Sequence, residues 1–600
     1  MRNLLSKVLI LALISMLTMS FISCEDDKTI VPPHYDKVED PDDKPGDEPG
    51  DEPGDEPGDE PGDEPGDEPG DEPGDEPGDE PGDEPGDEPG DEPGDEPGDE
   101  PGDEPGDEPV AEAPVFEEFS LLKAYNTSFL AENIECTISE DGNISYDGII
   151  KTLNPVYPGA KLKPSFKVKE SIKVYVNEDE QISGKTSQDF TKNITYRLEN
   201  AVGDAKEYTV SLKFEFTGLP IVVIQTENNA PITSKHNWIN ATIFIDGGEE
   251  FDDIELMDTE IAGRGNSTWL YYAKKPYKLK LSKKTSVFGL PKHKRWVLLA
   301  NFIDKTMLRN DVSFHLGQQT SLDWTPHGYH VELVLNGKYQ GNYYLCEQIK
   351  IDENRVNITE FEEGLAGSEV GYLMEMDTYT PDDDETLFYS KHTYQNNQKI
   401  NVKIKDPEAE DLTDEQLNYI TDYFQGFEDA LYGEDWLDEE KGYKNYIDIL
   451  SFVDIYLVSE LIAHSEWQHP KSSYMHKDAG GKLVSGPMWD YDWTTFTWRK
   501  GWQCKNYLWY PRLFQDPEFV ALIKERWGEL YPKFYATIQY MKDMKAKLSL
   551  SAEMNFKIWD STMPNSPNGE GSMTYEQSVD KIIDRYTERI EWLNKEFQKL

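Results

Sequence analysis

From Pro45 to Glu108 the tetrapeptide Pro-Gly-Asp-Glu repeats sixteen times. No other feature restricts the fold as strongly. The repeat places thirty-two carboxylates in succession with no cation and no apolar side chain. Proline and glycine interrupt helices and strands, and the charges repel. Residues 25–110 are therefore expected to form a disordered, extended acidic stalk that builds no core. The repeat holds 32 of the 60 net negative charges and leaves −28 for the rest of the chain. Overall acidity is thus partly a property of the stalk. It argues against nucleic acid as a partner, because phosphates require a basic footprint. A calcium role for the repeat is weak, since selective sites need an organised cage of ligands.

Ahead of the stalk, residues 1–23 read as a secretory signal. Arg2 and Lys7 supply the basic start, and Val8 to Met19 is a mostly apolar run too short to span a bilayer comfortably. Phe21-Ile22-Ser23-Cys24 resembles a bacterial lipobox. Glu25-Asp26-Asp27 resembles the acidic export signal of surface lipoproteins in the Bacteroides group. These resemblances imply a lipid-modified Cys24, attachment to the outer membrane by that lipid, and exposure at the cell surface. Three cysteines then remain, Cys136, Cys346 and Cys504, so at most one disulfide can form within the chain.

The other 490 or so residues suffice for two or three domains. Residues 115–217 alternate in period two, as in Ile172–Val176 and Tyr208–Phe214, with turns at Asp141-Gly142-Asn143 and Val202-Gly203-Asp204. The spacing predicts an all-β module. It resembles the immunoglobulin-like β-sandwich spacers that follow the anchor in many Bacteroides-group surface proteins. Gly218-Leu219-Pro220 punctuates, and a strand-rich stretch runs on to about Lys350. In Tyr277–Leu281 one face carries Tyr277, Leu279 and Leu281, and the other carries Lys278 and Lys280. Asn336-Gly337 between two strand patterns predicts a hairpin with a type I′ turn. On its second strand Glu347 shares a face with Tyr343 and Leu345, so it needs a partner if buried. After about Glu408 the pattern turns helical: Tyr446–Ile462 reads as a buried helix and Tyr575–Leu600 as an amphipathic one.

Between those helices lies Gly486-Pro487-Met488-Trp489-Asp490-Tyr491-Asp492-Trp493. An extended segment would put Asp490 and Asp492 on one side. Two carboxylates that close repel, and a hard divalent cation with oxygen ligands is the natural neutraliser. The order of parts matches what phosphoryl transfer needs: a lysine and a later glutamate, a polar loop holding an acid, then a metal-binding acid. None of the usual kinase signatures is present, neither a Gly-rich loop nor His-Arg-Asp nor Asp-Phe-Gly.

Seven pieces in order carry a resemblance to the CotH kinase family, named for a spore-coat protein kinase. They are Gly263–Trp269, Lys274–Leu281, Trp296–Asn301, Asp304-Lys305-Thr306 with Leu308-Arg309-Asn310, Val331–Gly337, Gly341–Glu347 and Gly486–Trp493. The resemblance covers roughly residues 219–600 and implies an α+β, atypical kinase-like fold with a β-rich N-lobe and a helical C-lobe. By position, Lys280 looks like the nucleotide-phosphate lysine, with Lys278 beside it, Glu347 as its ion-pair partner and Arg264 as a further phosphate contact. Asp490 looks like the principal metal ligand and catalytic acid group, with Asp492 as the second ligand. Glu466, in His464-Ser465-Glu466-Trp467, stands where many family members carry a catalytic aspartate. The extra methylene moves the oxygen by about an ångström, a displacement that can cost on the order of 100-fold. ATP and Mg2+ or Mn2+ are the implied cofactors, and a Ser/Thr protein is the implied substrate of a monomeric kinase. The alternative is an inactive kinase-fold scaffold, with its aromatics turned to glycans.

Overall fold

The computed structural model describes residues 112–378, 386–394, 398–497, 500–560 and 567–600. The signal segment, Cys24 and the acidic repeat lie outside the described residues. No helix among the described residues is long and apolar enough to cross a membrane.

The first part is all β. Its strands are β1 (Glu118–Leu121), β2 (Ile134–Glu135), β3 (Thr137–Ile138), β4 (Asn143–Ser145), β5 (Ser165–Lys167), β6 (Lys173–Val176), β7 (Asp179–Glu180), β8 (Ile194–Glu199) and β9 (Ala205–Ser211). They form a three-stranded sheet, β2-β1-β5, and a six-stranded sheet, β3-β4-β9-β8-β6-β7. Alternation buries Ile194, Tyr196 and Leu198 of β8, while Phe116 and Phe119 meet Tyr196 and Tyr208 edge to face. The turn glycines Gly142 and Gly203 have φ of 88° and 93°, a region costly for any residue with a Cβ.

The next seven strands close a barrel. They are β10 (Ile221–Thr226), β11 (Ile239–Asp246), β12 (Ile254–Gly263), β13 (Tyr277–Thr285), β14 (His293–Leu299), β15 (Gly328–Leu335) and β16 (Lys338–Glu347). The order is β10-β11-β12-β13-β14-β16-β15, and β10 pairs in parallel with β15 to complete the circuit. The β15–β16 hairpin turns at Asn336 and Gly337 with φ of 51° and 69°, as the Asn-Gly pair predicts. Alternation sends Ile243, Ile261, Leu279, Trp296 and Leu345 inward, where they pack together. It sends Val297, Leu299, Tyr344 and Cys346 outward, into the core of the C-terminal part.

That C-terminal part is mixed, not simply helical. A five-stranded antiparallel sheet, ordered β18-β19-β17-β20-β21, is built from β17 (Tyr372–Met376), β18 (Leu387–Tyr394), β19 (Gln398–Asp406), β20 (Ser473–Lys477) and β21 (Leu483–Ser485). Helices α1 (Ser267–Tyr271) and α2 (Arg309–Gly317) interrupt the barrel strands, and α3 (Asp414–Tyr432), α4 (Ile449–Ile462), α5 (Tyr510–Leu513), α6 (Pro517–Lys547), α7 (Ser549–Trp559) and α8 (Tyr575–Lys599) follow. Helix α4 is buried on nearly every side, and α8 begins on a Thr574–Gln577 capping box. Both match the sequence periodicity. Cys136, Cys346 and Cys504 are free thiols, so none of the three pairs with another.

Candidate active site

The segment after β21 is the centre of the site. It is not a strand. Asp490, Thr494 and Phe496 have φ of 62°, 48° and 56°. Left-handed residues break the period-two alternation, so Asp490 is exposed whereas Asp492 is buried. The expected one-sided pair on an extended segment is thus not formed. The two acids still feel each other. Burial, then the negative charge of Asp490, push the Asp492 carboxyl well above the usual carboxylate range, and Asp304 and Glu466 add to this.

Backbone strain of this kind persists where the surroundings fix it. Asn310 of α2 accepts from the Tyr491 N–H at 2.7 Å, and Arg309 donates through Nε to the Thr495 carbonyl at 3.2 Å. Asn568 donates to the Asp492 carbonyl at 2.9 Å. Thr495 Oγ1 closes back on the Tyr491 carbonyl at 2.6 Å. Arg309 is itself buried between Asp304 and Glu570 and forms ion pairs with both. Burial opposes its charge, but the two carboxylates outweigh burial and raise its pKa. The sequence pieces Asp304-Lys305-Thr306 and Leu308-Arg309-Asn310 therefore build the clamp on the acid loop.

Glu466 arrives from the end of α4. Ala463 closes that helix in a left-handed conformation, φ 55°, and Ser465–Gln468 forms a short 3-10 turn. The Ser465 and Thr494 hydroxyls hydrogen-bond, and the Phe496 N–H donates to the Ile462 carbonyl at 2.6 Å, tying this turn to the acid loop. The Glu466 carboxyl is held well above its ordinary range, first by burial and then by Asp490, against the opposing Lys471. His464 beside it, 3.9 Å from the Glu466 carboxylate, is buried and pushed down to about 4, so its imidazole is neutral at physiological pH. Ser472 donates to Asp490 at 3.2 Å. Arg264, from the end of the barrel's third strand, stands over the Trp489 ring at 5.3 Å and partly offsets the negative charge on Asp492. Asp490, Glu466 and Arg264 therefore all act on Asp492, although no group of three or more His, Cys, Asp or Glu among the described residues is arranged to hold a metal ion.

The lysine–glutamate pair expected between Lys280 and Glu347 does not exist. Leu279 lies opposite Trp296, and Trp296 lies opposite Glu347, so these three share the inner face of the barrel. Lys278 and Lys280 alternate to the outer face. Lys280 instead pairs with Glu260 directly across the strand at 2.8 Å, both side chains being more than a third exposed. Glu347 is buried, accepts from the His327 N–H at 3.1 Å and lies 3.7 Å from Arg355 Nε. Arg355 is the internal partner that the buried acid required, and it stands over Trp296.

Sequence reasoning also missed residues. Asp304, Arg309 and Asn310 stood in quoted motif pieces without a role. Asp377 and Lys471, whose charges act on Glu466, carried no local signal.

The fold is mixed α+β, and it brings Asp490, Glu466 and Arg264 within electrostatic reach of Asp492. The family model for CotH kinase protein matches residues 261–593, more than half of the chain, and the chain belongs to that family. No curated protein matches it. The match begins near the end of β12, so β10 and β11, which complete the barrel, precede it.

Proposed function

We propose that this chain is a lipid-anchored, surface-exposed protein kinase that moves the γ-phosphate of ATP to serine or threonine hydroxyls of secreted or surface proteins. The observation that supports the reading is the meeting of the Glu466 turn, the Asp490–Asp492 loop and Arg264, joined by the Ser465–Thr494 hydroxyl bond and the Arg264–Trp489 contact. The oxygen-only donors suit a hard divalent ion, and the raised pKa of Asp492, from burial and then Asp490, marks a place short of positive charge. Asp490 and Asp492 would hold Mg2+ or Mn2+, which supplies charge neutralisation for the phosphates. Glu466 would take the proton of the acceptor hydroxyl in its ionised form, and burial and Asp490 raise its affinity for that proton. Arg264 holds a positive charge beside the acids, over the buried Trp489 ring. The kinase-like lobes, the immunoglobulin-like spacer and the acidic stalk belong to the same reading, with Cys24 as the lipid attachment point.

The deciding experiment is incubation of the purified full chain with γ-labelled ATP and Mg2+ or Mn2+. Label should appear on the protein or on an added acceptor. It should vanish in Asp490→Ala and in Glu466→Gln, the latter keeping nucleotide binding because the amide preserves size but takes no proton. Nucleotide binding without any transfer by the wild type would instead favour the scaffold reading. Cys24→Ala should move the protein from the membrane to the soluble fraction; retention in the membrane would place the anchor elsewhere.

A further inference from the structure

His464, at the head of the Ser465–Gln468 turn, is a buried polar group without a bond to make. Its side chain is 3% exposed, and among the described residues neither ring nitrogen has a hydrogen-bond partner. Buried donors and acceptors are nearly always satisfied, so an orphaned imidazole needs a cause. The surroundings fix the ring and leave it one polar neighbour. Ala463 ends α4 in a left-handed turn, and the His464 N–H donates to the Ser459 carbonyl at 2.9 Å. The Tyr491 and Trp467 rings face the imidazole at 4.9 Å and 6.3 Å between centroids. The Cys504 thiol lies against the His464 carbonyl, not against the ring. The Glu466 carboxylate stands 3.9 Å from Nε2, and its side chain keeps 13% exposure. That gap is about an ångström longer than a hydrogen bond. Glu466 is also one methylene longer than the aspartate that the family resemblance leads one to expect, so its carboxylate has one more torsion to be held.

We propose that His464 is a positioning residue for Glu466: with its proton on Nε2, the imidazole donates to one carboxylate oxygen and leaves the other turned to the acceptor hydroxyl. The inference rests on the kinase reading above and deepens it. Burial brings His464 down to about 4 against the opposing charge of Asp490, so at physiological pH the ring carries one N–H and donates without adding a charge. Such a bond favours the ionised carboxylate, the form able to take a proton, whereas burial and Asp490 favour the protonated one. It also removes the rotational freedom that glutamate has beyond aspartate. The acceptor's proton passes to the oxygen that His464 leaves free, and none passes to the imidazole. His464 and Glu466 thus act as a pair, a longer acid with an anchor in place of a shorter acid that needs none.

The test is steady-state phosphoryl transfer by the full chain with γ-labelled ATP and Mg2+, label being counted on the chain and on added myelin basic protein. His464→Phe keeps a ring and loses the donor. Its kcat should fall by about tenfold, the loss of one charge-assisted bond, with KM for ATP and the melting temperature nearly unchanged. His464→Gln puts an amide N–H near the place of Nε2 and should recover kcat to within about threefold of wild type. His464→Asn puts it near Nδ1 and should recover nothing. The sharpest comparison is made in Glu466→Asp, whose shorter side chain is out of reach of His464. Adding His464→Phe to that variant should change kcat by less than about twofold. Full activity of His464→Phe, equal losses in both backgrounds, or equal behaviour of the Gln and Asn variants would mean a packing role and overturn the proposal. Should His464→Phe not fold, the Gln and Asn variants decide alone. If wild type labels neither itself nor the acceptor, the kinase reading falls and the positioning role falls with it. If wild type transfers and any overturning result holds, only the positioning role falls.

Discussion

Arg309 and Arg264 both reach the Trp489–Thr495 segment from the N-terminal half of the domain, and they do opposite jobs. Arg309 is saturated: Asp304 and Glu570 neutralise it, and its Nε holds the Thr495 carbonyl. Arg264 stands over Trp489 without a carboxylate partner among the described residues, in a file with Lys278 and Arg295, which both stand over the Trp238 ring. One cluster is closed and sets the shape of the acid loop. The other is open and has charge left for a ligand. The difference teaches that a charged residue inside a family motif is functional or structural according to its partner, not its position in the motif.

Breaking the closed cluster should have the largest effect. Arg309→Met leaves Asp304 and Glu570 buried without compensation, which costs about 3–5 kcal/mol and lowers the melting temperature by roughly 10 °C in scanning calorimetry. A loss under about 1 kcal/mol would mean that the network is not the clamp described. Asp490→Ala addresses the acids between the two clusters. Metal-dependent nucleotide binding should fall by roughly 100-fold, with the melting temperature nearly unchanged, because the side chain is exposed and its removal relieves Asp492. Nucleotide titration with and without Mg2+ separates that outcome from global damage.

The open cluster predicts a pH dependence. Lys278 must be protonated to hold an anion, and its pKa is lowered to about 8 among Arg295, Lys235, Arg264 and Lys350. Its contribution is therefore present below pH 8 and lost as pH rises through about 8. Comparing ATP binding by wild type and by Lys278→Arg cancels the titration of ATP itself. Their affinities should agree near pH 7 and diverge by roughly tenfold near pH 9.5. Parallel curves would mean that Lys278 stays charged throughout and lacks the crowded setting. The smallest effect belongs to Lys280→Ala. An exposed ion pair with Glu260 is worth under about 1 kcal/mol, so stability should barely move in urea melts.

Local features were legible. Asn336-Gly337 specified its turn, because two consecutive left-handed residues suit that pair and few others. The 277–281 alternation gave the inward Tyr277, Leu279 and Leu281 and the outward lysines. The buried α4 and amphipathic α8 followed from apolar spacing. Glu347 was legible as an acid needing a partner, but its partner was not, since pairing depends on how strands stack side by side. The strand β20 had no reading in the sequence, because its residues pair with β17 about a hundred positions earlier. Asp490 was read as extended, and its left-handed backbone is held by Asn310 and Arg309 from far away in the chain.

The chain's own order of residues determined the composition of the parts: an acidic repeat unable to form a core, an alternating β module, the family motifs, and two helices with set faces. Period and charge are local properties, and adjacent residues suffice to fix them. Tertiary structure alone decided the partners. It put Lys280 and Glu347 on opposite faces of the barrel wall, gave Arg355 to Glu347, and brought Trp238 across to Lys278 and Arg295. A partner is chosen by strand register and barrel closure, and these minimise the free energy of many distant contacts at once, which no short stretch of residues encodes.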